Sequence, residues 1–223
     1  MVNITVYVEG GTSEIGVNAS TVAMSTALRE SFYKLFSSNF DNNLTIPFNL
    51  IVEMGGGEID ATELFLRAIK EGKNAVLLID VYKSKTKKDK IDYLTQTLDK
   101  LRQSPKYKYR GIDLEEIEDH QNSVFFMVKE MEAWFLSQLE AIENCAKQQG
   151  WVRKDVEGEL KNDDGINGKI IQEIDCPSRT LDTLIQRNYR RKLNPKKKQK
   201  YGKLKHAPTM IEHLNLPQLK QDF

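Results

Sequence analysis

Residues Asn3 to Glu14 read N-I-T-V-Y-V-E-G-G-T-S-E. Ile4 to Val8 is an almost continuous apolar run rich in β-branched residues. That is the pattern of a strand buried on both faces, as in parallel sheets. Glu9 follows at once, then Gly10 and Gly11. A carboxylate at the carboxyl end of a first buried strand stands where open α/β sheets place their ligands. The glycines allow a sharp turn and a close approach to the backbone, and Thr12 or Ser13 begins the path to a helix. On these residues alone the plain alternative, a tight turn carrying a solvated glutamate, stays open.

The following residues repeat the pattern. Ser20 or Thr21 caps a helix running to about Phe36, with Met24, Leu28, Phe32, Leu35 and Phe36 on one face. Phe48 to Glu53 is a second strand, followed by Gly55, Gly56 and Gly57. Without a G-K-[ST] ending the triple glycine is a strand-to-helix turn in preference to a phosphate cradle. Asp60 is expected to cap the next helix, with Glu63 in capping-box position. Leu64, Phe65, Ala68 and Ile69 form its apolar face and Gly72 ends it. Ala75 to Ile79, A-V-L-L-I, is a third strand that Asp80 terminates. Alternating strands and helices imply right-handed crossovers and a parallel sheet, so Glu9 and Asp80 should emerge from the same edge. Neighbouring strands lie ~4.8 Å apart, close enough for two carboxylates to share one cation. A hard divalent ion such as Mg²⁺ takes oxygen ligands of this kind. Alternatively, Asp80 caps the turn that follows.

Lys83 to Lys90 is a basic loop placed to meet phosphate or simply solvated. Ile91 to Leu101 is helical by pattern, and Ser104 to Ser123 is an exposed excursion with an acidic patch from Asp113 to Asp119. Val124 to Val128 is a fourth apolar run, and a long helix is expected from there to about Gln148. Val128, Met131, Phe135, Leu139, Ile142 and Ala146 form its stripe, with Glu132 inside the stripe and Glu130 pointing to solvent. A carboxylate on an apolar face needs a metal ion or a buried Lys or Arg against it. Trp151 to Pro177 is polar and turn-rich, an insertion or linker. Ser178 caps a helix to about Arg187, and Pro208 begins a last helix bearing Met210, Ile211 and Leu214. Lys205 and His206 lie just before that helix, where backbone N–H groups favour an anion.

With 39% apolar residues in 223, the chain suits one α/β domain with an appendage, divided as 1–150 and 151–223. No run of ~18 apolar residues suggests a membrane span, and no apolar leader precedes the first strand. Cys145 and Cys176 read as free thiols of a reducing cytoplasm. The net charge of +1 conceals an asymmetry. Arg187, Arg190, Arg191, Lys192, Lys196, Lys197, Lys198, Lys200, Lys203 and Lys205 fall in one stretch without Asp or Glu. Removing these 10 leaves 23 basic against 32 acidic residues, a balance of −9. Such a segment on an acidic body suggests a polyanionic partner. His120, His206 and His213 lie far from any nucleophile signature, so no Ser-His-Asp or Cys-His arrangement competes.

The V-E-G of Val8 to Gly10, followed by small residues and Glu14, resembles the opening of a Toprim domain, shared by topoisomerases, primases and several nucleases. In that family the glutamate matching Glu9 serves metal-dependent phosphoryl chemistry, and a second apolar strand ends in Asp-x-Asp. Here that strand ends in Asp80, Val81, Tyr82. Tyr82 is no ordinary Mg²⁺ ligand, which weakens one metal position. The chain is more closely similar to a bacterial Toprim-like family of unknown function, often encoded beside ATPase genes in arrangements that suggest phage defence. The shared motifs are V-Y-V-E-G-G at Val6 to Gly11, M-E-A-W-F-L at Met131 to Leu136 and K-L-K-H-A-P at Lys203 to Pro208.

The resemblance implies an α/β protein with a Toprim-like parallel sheet flanked by helices and a basic helical C-terminal segment. It singles out Glu9, Asp80 and Glu132 around Mg²⁺ or Mn²⁺, with Lys205 and His206 beside them. The expected activity is hydrolysis of a phosphodiester in DNA or RNA, tRNA included. Arg187, Arg190, Arg191, Lys196, Lys197, Lys198, Lys200 and Lys203 would hold the backbone. An ATPase is the expected protein partner, and a second copy of the chain is also possible. The competing reading is a non-catalytic nucleic-acid-binding or regulatory subunit, which Tyr82 favours.

Overall fold

Four apolar runs pair into one parallel sheet in the computed structural model, which describes residues 1–10, 19–43, 46–81, 87–105, 119–154 and 158–222. They are β1 (Val2–Val8), β2 (Phe48–Met54), β3 (Asn74–Val81) and β4 (Val124–Val128). Their spatial order is β2-β1-β3-β4, with every neighbouring pair parallel. α1 (Ala19–Asn43) joins β1 to β2; α2 (Glu58–Lys70) brings the chain back past β1 to β3. α3 (Lys87–Gln103) precedes β4. The winding therefore reverses between β1 and β3, and their carboxyl ends flank a topological switch point.

Successive residues of β1 feed opposite cores, as the two-residue period of a strand dictates. Val6 and Val8 join Leu50, Leu78 and the α1 residues Leu28 and Phe32 on one face. Tyr7 joins Leu77 and Ile79 with Phe65 of α2 and Leu94 and Leu98 of α3 on the other. The central strands β1 and β3 are buried on both faces, as their unbroken apolar runs predict, whereas β2 alternates buried and exposed residues and Phe125 of β4 is 49% exposed. Gly55 shows how tightly α2 sits on the end of β2: a Cβ there would lie 2.4 Å from the Ala61 Cα. Gly10 and Gly56, with φ of +120° and +78°, exchange backbone hydrogen bonds of 2.7 and 3.1 Å. These two left-handed positions tie the loops together at the carboxyl edge of the sheet.

Several boundaries differ from expectation. α2 begins at Glu58 behind Gly57, so Asp60 lies inside its first turn and not at its cap, and Glu63 pairs with Arg67 one turn on. The helix expected to run on to Gln148 is two helices, α4 (Met131–Ser137) and α5 (Leu139–Gln149). The break is at Gln138, whose backbone leaves helical geometry. Its side-chain amide donates to the Asn215 carbonyl at 3.0 Å and accepts the Asn215 N–H at 2.7 Å. α6 (Pro177–Asn188) starts behind Cys176 with no Ser178 cap. Glu130, expected in solvent, accepts the Ser178 N–H at 2.8 Å and does the capping.

The basic segment is helical at its two ends, at Arg187 and from Lys203 onward, and extended between them. β6 (Tyr189–Arg191) and β7 (Asn194–Lys198) form a hairpin beside β5 (Val152–Arg153), in an antiparallel sheet of order β5-β6-β7. Like charges one turn apart oppose a helix there, and Pro195 has no N–H to contribute to one. α7 (Lys203–Ile211) follows, with Pro208 inside it and not at its start, then α8 (Leu216–Asp222). Leu160 and Ile166, from the stretch read as a linker, share a core with Val6, Val8, Leu184 and Met210. Residues 12–14, Tyr82, the basic-loop positions 83–86 and the acidic positions 113–118 lie outside the described residues. No helix among the described residues is long and apolar enough to cross a membrane.

Candidate metal and phosphate site

Val8 stands opposite Leu78 in the β1–β3 register, which brings Glu9 and Asp80 together just past the paired residues. The Glu9 N–H donates to the Leu78 carbonyl at 2.8 Å. The Asp80 N–H donates to Glu9 Oε2 at 2.9 Å. The Glu9 carboxylate thus reaches the backbone of Asp80 at the switch point; β3 runs on to Val81, so Asp80 lies within that strand and does not end it. Glu132 arrives from α4. It is only 1% exposed and lies in a helix turn whose other members, Met131 to Leu136, are all buried.

Two residues complete the cluster. Lys203, the first residue of α7, places Nζ 3.7 Å from Asp80 Oδ2 and 3.7 Å from Glu132 Oε2. Tyr201 donates its hydroxyl to Glu132 Oε1 at 3.0 Å. The partner demanded by the buried Glu132 is therefore, in part, a lysine. No local pattern marks Tyr201. Lys203 stands in the sequence as one of ten cations, and its separate role appears only when α7 docks against α1 and α5.

Burial dominates the electrostatics. It pushes the Asp80 carboxyl up to about 7, against the pull of Lys203 and with help from Glu9 and Glu132. Burial also raises Glu9, opposed by the Asp80 N–H, and raises the Tyr201 phenol well above its ordinary range, reinforced by Glu132. Lys203 is the reverse case: burial would lower it, but Glu132 and Asp80 more than compensate and it stays firmly protonated.

Asp80 Oδ1 and Glu132 Oε2 are buried with no hydrogen-bond partner among the described residues. Glu132 Oε2 already faces the Lys203 ammonium group at 3.7 Å, whereas Asp80 Oδ1 has no such contact among the described residues, and a buried oxygen of that kind calls for a cation or an ordered water. The donors are all oxygens, which suits Mg²⁺ or Mn²⁺. Among the described residues no three His, Cys, Asp or Glu side chains are gathered closely enough to hold an ion as they stand. Asp80 and Glu132 are the acids whose buried oxygens lack a hydrogen bond, and Glu9 accepts the Asp80 N–H beside them.

The other expected site residues separate. His206 is 3% exposed and its Nδ1 accepts the Gly202 N–H at 2.9 Å. Its ring packs edge-on to Trp151 with centroids 5.0 Å apart, and burial lowers its pKa to about 4. It clasps the start of α7 and lies behind Tyr201, the two ring centroids 6.1 Å apart. Lys205 lies exposed in the first turn of α7, and the ammonium group at the carboxylates is that of Lys203 instead. Of the cations expected on phosphate, Arg187 pairs with Asp163 at 3.2 Å. Arg190 donates to the carbonyls of Gln186 and Tyr189, each at 2.9 Å. Arg191, Lys196, Lys197, Lys198 and Lys200 remain exposed.

No curated protein and no solved structure matches the chain. A family described as Domain of unknown function (DUF4276) matches residues 22–223. β1 and Glu9 precede that span, whereas Asp80, Glu132, Tyr201 and Lys203 all fall within it. With nine-tenths of its length in the match, the chain belongs to the DUF4276 family.

Proposed function

We propose that the protein hydrolyses phosphodiesters in nucleic acid with the help of Mg²⁺ or Mn²⁺. The observation that carries this reading is the meeting of Glu9, Asp80, Glu132 and Lys203 at the switch point, with Asp80 Oδ1 buried and without a hydrogen bond among the described residues. A bound divalent ion supplies Lewis-acid polarisation of a phosphoryl oxygen and a more acidic water. Asp80 and Glu132 would hold it. Glu9 fixes the end of β3 by accepting the Asp80 N–H, and Tyr201 sets the orientation of Glu132 through Oε1. Lys203 lies within reach of an anion at the acids and would take a phosphate oxygen there, neutralising charge as it develops. In keeping with the family resemblance, we place this activity in an ATPase-associated defence system against phage, with tRNA among the substrates to be tried.

Titration calorimetry with Mg²⁺ and Mn²⁺, alongside cleavage of plasmid and tRNA, tests the reading. The parent protein should bind the ion and cleave. Asp80→Asn should lose both, and Glu9→Gln should lose cleavage while the fold is kept. Unchanged ion binding in Asp80→Asn would remove the site. The second reading, a non-catalytic binding or regulatory subunit, draws on Lys203, which already supplies a positive charge to both acids. It becomes the better one if the parent binds no divalent ion and cleaves nothing with its ATPase neighbour and ATP present.

A further inference from the structure

The β6–β7 hairpin turns through only Lys192 and Leu193, because Arg191 pairs with Asn194. Leu193 at its tip is 97% exposed, an unusual position for a large apolar side chain. Every residue of β7 is exposed. Arg190 pairs with Lys198, so the register shifts within the hairpin and Pro195, Lys196 and Lys197 lie in the irregular stretch between the two pairs. The hairpin therefore carries exposed cations along β7 and an exposed apolar residue at its turn. Its root runs through Gln199 and Lys200 into Tyr201, which touches Glu132.

We propose that this hairpin enters the major groove of duplex DNA, with Leu193 over the base edges and Arg191, Lys196, Lys197 and Lys198 on the phosphates. The inference deepens the nuclease reading by naming its substrate, and it rests on that reading for cleavage but not for binding. The groove of B-form DNA admits a two-stranded ribbon, whereas the corresponding groove of an RNA duplex is too deep and narrow. Single strands are held by exposed aromatic side chains, and Tyr189 of the hairpin is buried. Addition of a protein strand is disfavoured because β7 carries Pro195 and three lysines, both barriers to edge pairing.

Fluorescence anisotropy of the full chain in EDTA tests the proposal with a short DNA duplex, one of its strands alone, and the RNA duplex of the same sequence. The DNA duplex should bind about tenfold tighter than either of the others. Changing Arg191, Lys196, Lys197 and Lys198 to Gln should lower the slope of log K against log salt by about 0.9 for each phosphate no longer neutralised. Leu193→Asp should weaken duplex binding about tenfold with thermal unfolding unchanged, since the side chain is almost wholly in solvent. Absence of duplex binding, equal or tighter binding of the single strand or the RNA, or an unchanged salt slope would each overturn it. No divalent ion is present, so a protein that binds but never cleaves sinks the nuclease reading and leaves this one standing.

Discussion

Asp80 is pulled two ways, by burial towards its protonated form and by Lys203 towards the carboxylate. Burial wins, and its pKa rises to about 7 from an ordinary 3.8. Between those values the folded protein keeps a proton that the unfolded chain has released. The stability this group contributes is complete below about pH 4 and is lost as the pH climbs through about 7. His206 acts in the opposite sense: its pKa falls from 6.5 to about 4, so stability drops as the pH falls through that window. Above about pH 6.5 only Asp80 of the two still changes. Urea unfolding in chelator should therefore show a decline from pH 6.5 to 8 that Asp80→Asn flattens; a variant keeping the parent slope would contradict the assignment. For Glu132 the expected loss on Glu132→Gln is about 1–3 kcal/mol. That is below the ~3–5 of a fully buried pair, because the Lys203 side chain is 43% exposed. A cycle with Lys203→Met should show coupling of about 0.5–3 kcal/mol, and strict additivity would mean the two do not interact. At this scale the acids were legible and their cation was not. Glu9 and Asp80 follow apolar runs and Glu132 interrupts an apolar face, all local patterns. Lys203 is distinguished from its neighbours only by a contact across more than 70 residues of chain.

Among the elements, strands with apolar runs read clearly and those with no apolar side did not. β1, β3 and β4 stand out by their runs of Val, Ile, Leu and Phe. β6 and β7 carry neither alternation nor an Asn-Gly turn, so the hairpin looks like a helical or solvated basic tract. The α4–α5 break is equally hidden, because it is fixed by Gln138 and Asn215 from distant parts of the chain. Glu130 shows the same limit. On a helical wheel it faces solvent, yet it is the cap of α6. Glu130→Ala should lower stability by about 1 kcal/mol, the usual cost of removing a helix cap, and Ser178→Ala should change it much less. Equal losses in thermal unfolding would mean that the hydroxyl, not the carboxylate, holds the helix start.

For the molecule as a whole, the parallel sheet and its crossovers follow from the alternation of strands and helices, and with them the common edge of Glu9 and Asp80. What the sequence hid was the depth to which residues 151–222 enter the same core. Leu184, Ala207, Met210 and Ile211 lie with Val8 and Phe32 in one cluster. A fragment of residues 1–150 would keep α1 on that face of the sheet but lose Leu184, Ala207, Met210 and Ile211 from the cluster. It should show no cooperative thermal transition, whereas the full chain should unfold with a single one; a folded fragment would establish two independent halves. The sharing of one site between β1, β3, α4 and the start of α7 also has a consequence in time. Ribosomes add about 5–20 residues per second, so roughly 10–40 s separate the synthesis of Glu9 from that of Tyr201 and Lys203. For the part of it that follows Glu132, roughly 4–14 s, the nascent chain carries three acids with no Lys203 yet made to face them, and all four strands of the parallel sheet are synthesised before the site is complete.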